Sequence, residues 1–392
     1  MTTRIRFLQT GDIHVGRNRL SLGEAGSNER SSRLLDTLYR VARDNKCSGV
    51  LITGDIFDTK SVTNAERELV AAKLSMYAGR DGIATYVIAG NHDQTTRGSG
   101  NLDYLAEIAK TGEVANLHVS FAVQDVVWES PEPGLSIIGA PCEKSEDQFW
   151  VEEYVSKLPK DQQFIFMGHG TIKGCMRNDA GYRPDEAKDK KLSLTKAAES
   201  APNVIWWAYG DIHKRQKLPT LPKGSNGWYA GSPIQMDFGE TADRGVVIVA
   251  FDLVDGAWEY TGQRYVRIDT PENGFAPFVT IMNEDQIDAT PTNALMKIDK
   301  AVTLSTERMQ QVIRTFKVLE NRSLPELPDD LVAAKVDGGG LLEAVDPLLS
   351  SADDVEEDVL SAFSASDDVV MLEAKRSVRA AIDRFRNRTY LS

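Results

Sequence analysis

The chain has 392 residues, of which 41% are hydrophobic and 26% charged. That is the make-up of a globular protein with one large domain and a smaller one or two. No apolar run approaches the ~18 residues of a membrane span, which argues against a membrane protein. The formal net charge of −13 argues against a generic nucleic-acid binder, although the field at a site decides binding there.

The first residues enter a strand directly, with no signal-peptide pattern. The alternating stretch Ile5–Gln9 predicts that strand, and it ends at Gly11-Asp12-Ile13-His14. Asp12 and His14 are two apart, so on an extended backbone they face the same side. A polar loop is expected over Asn18–Ser27. A helix follows, with Leu34, Leu35, Leu38, Val41 and Ala42 on one face. Ser48–Thr53 reads as a second buried strand, ending at Gly54-Asp55-Ile56-Phe57-Asp58.

Thr63 and Glu66 have the spacing of a capping box and start the next helix. The apolar run Ala84–Ala89 predicts a third strand, and Gly90 then turns the chain into Asn91-His92-Asp93. A loop at Arg97–Gly100 opens a short helix with Leu102, Leu105 and Ile108. This strand–helix rhythm predicts a parallel α/β layer.

From Asn116 the strands shorten. His118–Phe121, Asp125–Trp128 and Leu135–Gly139 predict hairpins and a mixed second sheet. Phe164–Met167 ends at Gly168-His169, and Val204–Tyr209 ends at Gly210-Asp211-Ile212-His213. Met176–Thr195, rich in Lys and Asp, predicts a surface insertion. Trp228–Pro233 and Gly245–Phe251 read as closing strands, and a hairpin-like turn at Asp252–Gly256 sets a boundary. The expected domains are 1–252, a small α+β unit at 253–322, a linker at 323–340 and C-terminal helices at 341–392. Trp258–Ile268 and Phe278–Met282 are expected strands of the small unit, and Thr306–Phe316 its helix. The widely spaced Cys47, Cys142 and Cys175 read as free thiols of a reducing cytoplasm.

Four of the five histidines fall at strand ends, beside Asp or Asn. The fifth, His118, lies inside an apolar strand and reads as structural. One such placement is easily chance; all together point to a metal site. Carboxylates, imidazoles and an amide oxygen suit Mn²⁺, with Fe²⁺, Zn²⁺ or Mg²⁺ as alternatives. The supply exceeds one ion and fits two, ~3.5–4 Å apart, which implies phosphoester hydrolysis.

On Asp12-Ile13-His14, Gly54–Asp58, Gly90–Asp93, Gly168-His169 and Gly210–His213, the chain resembles the calcineurin-like metallophosphoesterases. Tyr229–Glu240 and the layout resemble the SbcD-type nuclease subunits within that superfamily. The resemblance implies a four-layer α/β/β/α sandwich with a small capping domain and C-terminal helices. It implies one metal at Asp12, His14, Asp55 and His213, and another at Asp55, Asn91, His169 and Asp211, with Asp55 bridging. His92 would protonate the leaving oxygen, oriented by Asp58. Asp211 departs from the pattern, which usually has His there.

The resemblance further implies a Mn²⁺-dependent DNA exonuclease and endonuclease, a homodimer and an SbcC-type ATPase partner with a coiled coil. The helices Thr63–Ala78 and Leu102–Lys110 are candidates for the dimer surface. Arg17, Arg19, Lys60, Arg97, Lys173, Lys214 and Arg215 flank the motifs as candidate phosphate contacts. Two other readings stay open: a phosphodiesterase of small nucleotides, and a scaffold subunit with a weakened metal site.

Overall fold

The computed structural model describes residues 3–95, 99–176, 192–240, 242–299 and 301–321. The chain begins with β1 (Arg4–Thr10), α1 (Arg19–Asp44), β2 (Gly49–Thr53), α2 (Asn64–Gly79), β3 (Ala84–Ile88), α3 (Asp103–Thr111) and β4 (Leu117–Val119). It continues with β5 (Val126–Glu129), β6 (Leu135–Gly139), α4 (Cys142–Ser145), α5 (Gln148–Ser156), β7 (Gln163–His169), α6 (Thr195–Ser200), β8 (Val204–Gly210), β9 (Gln216–Lys217) and β10 (Gly227–Tyr229). Then come β11 (Gly245–Val254), β12 (Ala257–Arg267), β13 (Phe278–Ile281), α7 (Asp285–Ala289), β14 (Leu295–Ile298), α8 (Thr306–Thr315) and β15 (Lys317–Asn321).

Two six-stranded sheets result, ordered β12-β11-β1-β2-β3-β4 and β5-β6-β7-β8-β10-β9. In the first, β1 to β4 are parallel neighbours and β11 and β12 add on antiparallel. In the second, β6, β7, β8 and β10 are parallel, with β5 and β9 antiparallel at the edges.

The strand period assigns each residue to a layer. Phe7 and Leu51 face the second sheet, meeting Ile137, Met167 and Trp206 in a core between the sheets. Leu8, Val50 and Ile52 face the other way, onto Leu34, Leu38, Val70 and Leu105 of the helices. Ile138, Phe166 and Trp207 likewise turn outward to Val151, Val155 and Ala197. The adjacent Trp206 and Trp207 are both fully buried, on opposite faces of one strand. Helices, sheet, sheet, helices is the expected four-layer sandwich.

Three local expectations differ. Asn18–Ser27 is helical from Arg19, with a break at Gly23 (φ 73°, ψ 162°). Its polar groups find partners: the Ser27 hydroxyl donates to the Arg17 carbonyl at 3.1 Å, and Arg19 pairs with buried Glu66 at 3.0 Å. The strand expected from His118 is β4 and joins the first sheet, parallel to β3. The strand at Trp258–Ile268 is β12, the edge of the first sheet and not part of the small unit. The cause is the turn: Asp255 (φ 49°) and Gly256 (φ 85°) form a two-residue hairpin that returns the chain along β11.

Residues 278–321 form a β–α–β–α–β unit with a parallel sheet β13-β14-β15. Ile281, Ile287, Met296, Ile298 and Val312 make its own core. The expected linker, the C-terminal helices, Arg97 and most of the Met176–Thr195 insertion lie outside the described residues. Cys47, Cys142 and Cys175 are buried free thiols. His118 stacks on Tyr86, ring centroids 4.7 Å apart, and burial lowers its pKa.

Candidate metal centre

The parallel registers align the strand ends. Thr10 pairs with Ile52, and Thr53 with Ile88, so β1, β2 and β3 finish side by side. In the other sheet His169 pairs with Gly210. The loops after β1 and β2 are zipped together. The Asp12 amide donates to the Gly54 carbonyl at 3.0 Å, and the Ile13 and His14 amides to that of Asp55 at 2.8 and 3.0 Å.

Asp12 (φ 50°), His14 (φ 51°), Asp55 (φ 50°) and Asp211 (φ 95°) are half of the eight non-glycine residues with positive φ. Such backbone costs on the order of 1–3 kcal/mol per residue and collects at functional sites. Here it turns side chains of successive loops inward.

Ligand-type atoms of Asp12, His14 and His213 converge within 4.8 Å of one another, as do those of Asp12, Asp55 and His169. Asp12, His14, Asp55 and His169 are buried, and His213 is partly so. The tautomers follow from the outer bonds. His213 Nδ1 donates to Glu240 Oε1 at 2.7 Å, and His169 Nδ1 to the Thr53 carbonyl at 2.7 Å. Each neutral ring then presents a bare Nε2 inward. His213 Nε2 meets His14 Nε2 at 3.0 Å. His169 Nε2 lies 3.0 Å from Asn91 Oδ1 and 3.4 Å from Asp55 Oδ1. Acceptors facing acceptors in a buried site require a cation between them, and this donor set of carboxylate, imidazole and amide oxygen fits a divalent metal.

Without an ion the charges strain against each other. Burial raises the Asp12 pKa to about 6 and lowers that of His14 to about 3. Burial also opposes the Asp55 charge, but His169, His14 and His92 around it hold its pKa well below the usual range. Burial disfavours a charged His169 and His213 too. Asp55 and Asp12 outweigh it at His169, whose pKa lies well above the usual value, and Glu240 and Asp12 raise His213 to about 8.

The remaining expected residues sort as follows. His92 sits edge-on to His14, centroids 5.0 Å apart, with its amide on Asp55 Oδ1 at 3.0 Å. Its Nδ1 bonds the Asp58 backbone carbonyl at 2.5 Å, so the carbonyl, not the carboxylate, orients the ring. The Asp58 carboxylate faces His14 Nδ1 at 3.4 Å and accepts from Arg17 at 3.1 Å. Asp211 stands outside both ligand groups. Its Oδ2 accepts from the Thr171 hydroxyl at 2.5 Å, and its amide donates to Asp12 Oδ1 at 2.9 Å. Asp12, not Asp55, is shared between the groups.

Of the basic residues, Arg17 lies at the site and Arg19 is tied to Glu66. Lys60 and Lys173 are exposed and Lys214 half-buried. Arg215 lies over the Tyr265 ring at 3.9 Å. Sequence reasoning assigned no role to Glu240 or Thr171. Asp93, expected only to cap a turn, is fully buried and accepts amides of Ile56, Phe57 and Gly90 at 3.2, 2.9 and 2.9 Å. Burial and the Asp55 charge push its pKa up to about 7.

Residues 5–215 match the family model of the calcineurin-like phosphoesterases. The chain belongs to that family. It is 24% identical over 337 residues to the SbcD subunit of the nuclease SbcCD of Escherichia coli K12, covering 79% of this chain and 75% of the relative. Against the SbcD subunit of Bacillus subtilis the figures are 27% over 271 residues, 60% of this chain and 63% of the relative. A solved dimetal phosphatase from Danio rerio is similar at a TM-score of 0.41 and 10% identity, covering 67% of this chain and 98% of that one. Family membership makes the chain a metal-dependent phosphoesterase, with the strand-end cluster as candidate ligands. Among the described residues no helix is long and apolar enough to cross a membrane.

Proposed function

We propose that the chain is a DNA nuclease subunit of the SbcCD type, hydrolysing phosphodiester bonds at two Mn²⁺ ions. The carrying observation is the convergence of Asp12, His14 and His213, and of Asp12, Asp55 and His169, from both sheets onto one spot. One ion would be held by the first group, the other by the second with Asn91. Bound divalent ions supply Lewis acidity toward a phosphate oxygen and make water a stronger acid.

The chain's own residues do the rest. His92 keeps its Nδ1 proton on the Asp58 carbonyl, which leaves Nε2 to hold or release a proton at the leaving oxygen. Arg17, fixed by Asp58, offers its guanidinium to a neighbouring phosphate. The exposed Lys60, Lys173 and Arg215 would contact phosphates further along the strand. The curated relatives are named as nuclease subunits of a two-component complex. That supports a DNA substrate, an SbcC-type ATPase partner and work in the cytoplasm, with a homodimer through α2 and α3.

The test is cleavage of end-labelled linear and single-stranded DNA with Mn²⁺. Asp55→Asn and His92→Ala should each lower the rate at least 100-fold while the circular dichroism spectrum is kept. Full activity in either variant refutes the assignment. A second reading, a scaffold with a weakened site, is favoured by the position of Asp211 outside both groups. Metal analysis separates the two: two Mn²⁺ per chain supports the enzyme, none the scaffold. Asp211→His tests whether position 211 reaches the metal; unchanged stoichiometry and rate would exclude it as a ligand.

A further inference from the structure

The segment that follows β10 wraps behind His213. Glu240 is 7% exposed and Arg244 2%, so two opposite charges have been carried into the protein beside one imidazole. Burying charge is costly unless each group is bonded, and both are. Glu240 Oε1 accepts from His213 Nδ1 at 2.7 Å, and Oε2 accepts from the Met236 amide at 2.7 Å. Arg244 donates to the His213 backbone carbonyl, and its Nε lies 3.7 Å from Glu240 Oε2. The Ser232 amide donates to the same carbonyl at 3.0 Å. His213 is thus held at its ring by Glu240 and at its backbone by Arg244 and Ser232.

Gln235 ties this assembly to the small unit. Its Oε1 accepts from the Phe278 amide of β13 at 3.1 Å, and its Nε2 donates to the Glu240 carbonyl at 2.7 Å.

We infer that Glu240 is a positioning residue for the metal centre: it fixes His213 in the Nδ1–H tautomer, so that Nε2 is bare toward Asp12 and His14. A carboxylate can only accept, so the proton of a neutral ring must lie on Nδ1. Free imidazole side chains have no such compulsion. Arg244 keeps Glu240 ionised inside the protein and thereby keeps it an acceptor.

The inference rests on the metal-centre reading, but its first readout needs no metal. In metal-free protein with ¹⁵N-labelled histidine rings, at a pH where the ring is neutral, His213 should show Nδ1 protonated. Glu240→Ala should shift the signal toward the Nε2–H form, and Glu240→Gln, whose amide oxygen still accepts, should restore Nδ1–H. The second readout is calorimetric Mn²⁺ affinity. Removing an outer partner of a metal-binding histidine costs about 10- to 100-fold, so Glu240→Ala should lose that much and Glu240→Gln less. An unchanged tautomer in Glu240→Ala overturns the inference whatever the metal does. A shifted tautomer with no Mn²⁺ binding even in the wild type would sustain Glu240 and overturn the metal-centre reading.

Discussion

Asp93 stands behind the ligand groups and decides where they lie. Its two oxygens gather amides from Ile56 and Phe57 on one loop and Gly90 on the other, splicing the loop of Asp55 to that of Asn91 and His92. Asp93→Asn turns one of those oxygens into a donor among donors. An unsatisfied buried group costs about 1–3 kcal/mol. The variant should therefore unfold at a lower urea concentration, by about that much, and bind Mn²⁺ more weakly; an unmoved midpoint would show the splice to be dispensable. Gly90 is bound by space. A Cβ there would lie 2.1 Å from Asp55 Oδ1, so Gly90→Ala should push Asp55 aside and abolish metal binding measured by calorimetry. At this scale the sequence was half legible. The ligand candidates stood out because each follows a strand and a glycine. Asp93, Asp58 and Glu240 act on partners far along the chain, and a local pattern carries no trace of that. Asp58 shows the limit: its spacing suggested a carboxylate on His92, and the contact is made by its carbonyl.

Elements were legible where one signal dominates. The capping box formed as the spacing predicted: the Thr63 hydroxyl accepts from the Glu66 amide at 3.2 Å, and Glu66 from the Thr63 amide at 2.9 Å. The sequence misled where polar residues are satisfied by distant partners, as over Asn18–Ser27. The break in α1 rests on Gly23, whose φ and ψ of 73° and 162° belong to a region essentially reserved for glycine. Nothing lies within 4 Å of a Cβ built there, so any penalty for a side chain comes from the backbone alone. Gly23→Ala should cost about 1–3 kcal/mol in denaturant unfolding, and a loss near zero would mean that the helix straightens freely. The edge strand β12 was misplaced because a strand sequence does not say which sheet it joins. The Asp255-Gly256 turn does.

For the whole molecule, the tail beyond residue 340 carries the proposed ATPase contact. Deleting residues 341–392 should end co-purification with the ATPase and spare Mn²⁺-dependent cleavage; retained co-purification would move the contact elsewhere. The two-sheet sandwich was foreseeable from strand order. The division of short strands between the sheets was not, since it depends on pairing across long loops.

The ligand groups come from both sheets: Asp12, His14 and Asp55 follow strands of one, and His169 and His213 strands of the other. An ion seated there binds only when the sheets are docked, and it is lost when they part. Metal is then a thermodynamic clasp as well as a reagent. At a free concentration 100-fold above its dissociation constant it adds about 2.7 kcal/mol to the folded state. A chelator should lower the melting temperature of the wild type and leave Asp55→Asn nearly unmoved. On that basis, metal supply governs how long the chain survives as well as how fast it cuts.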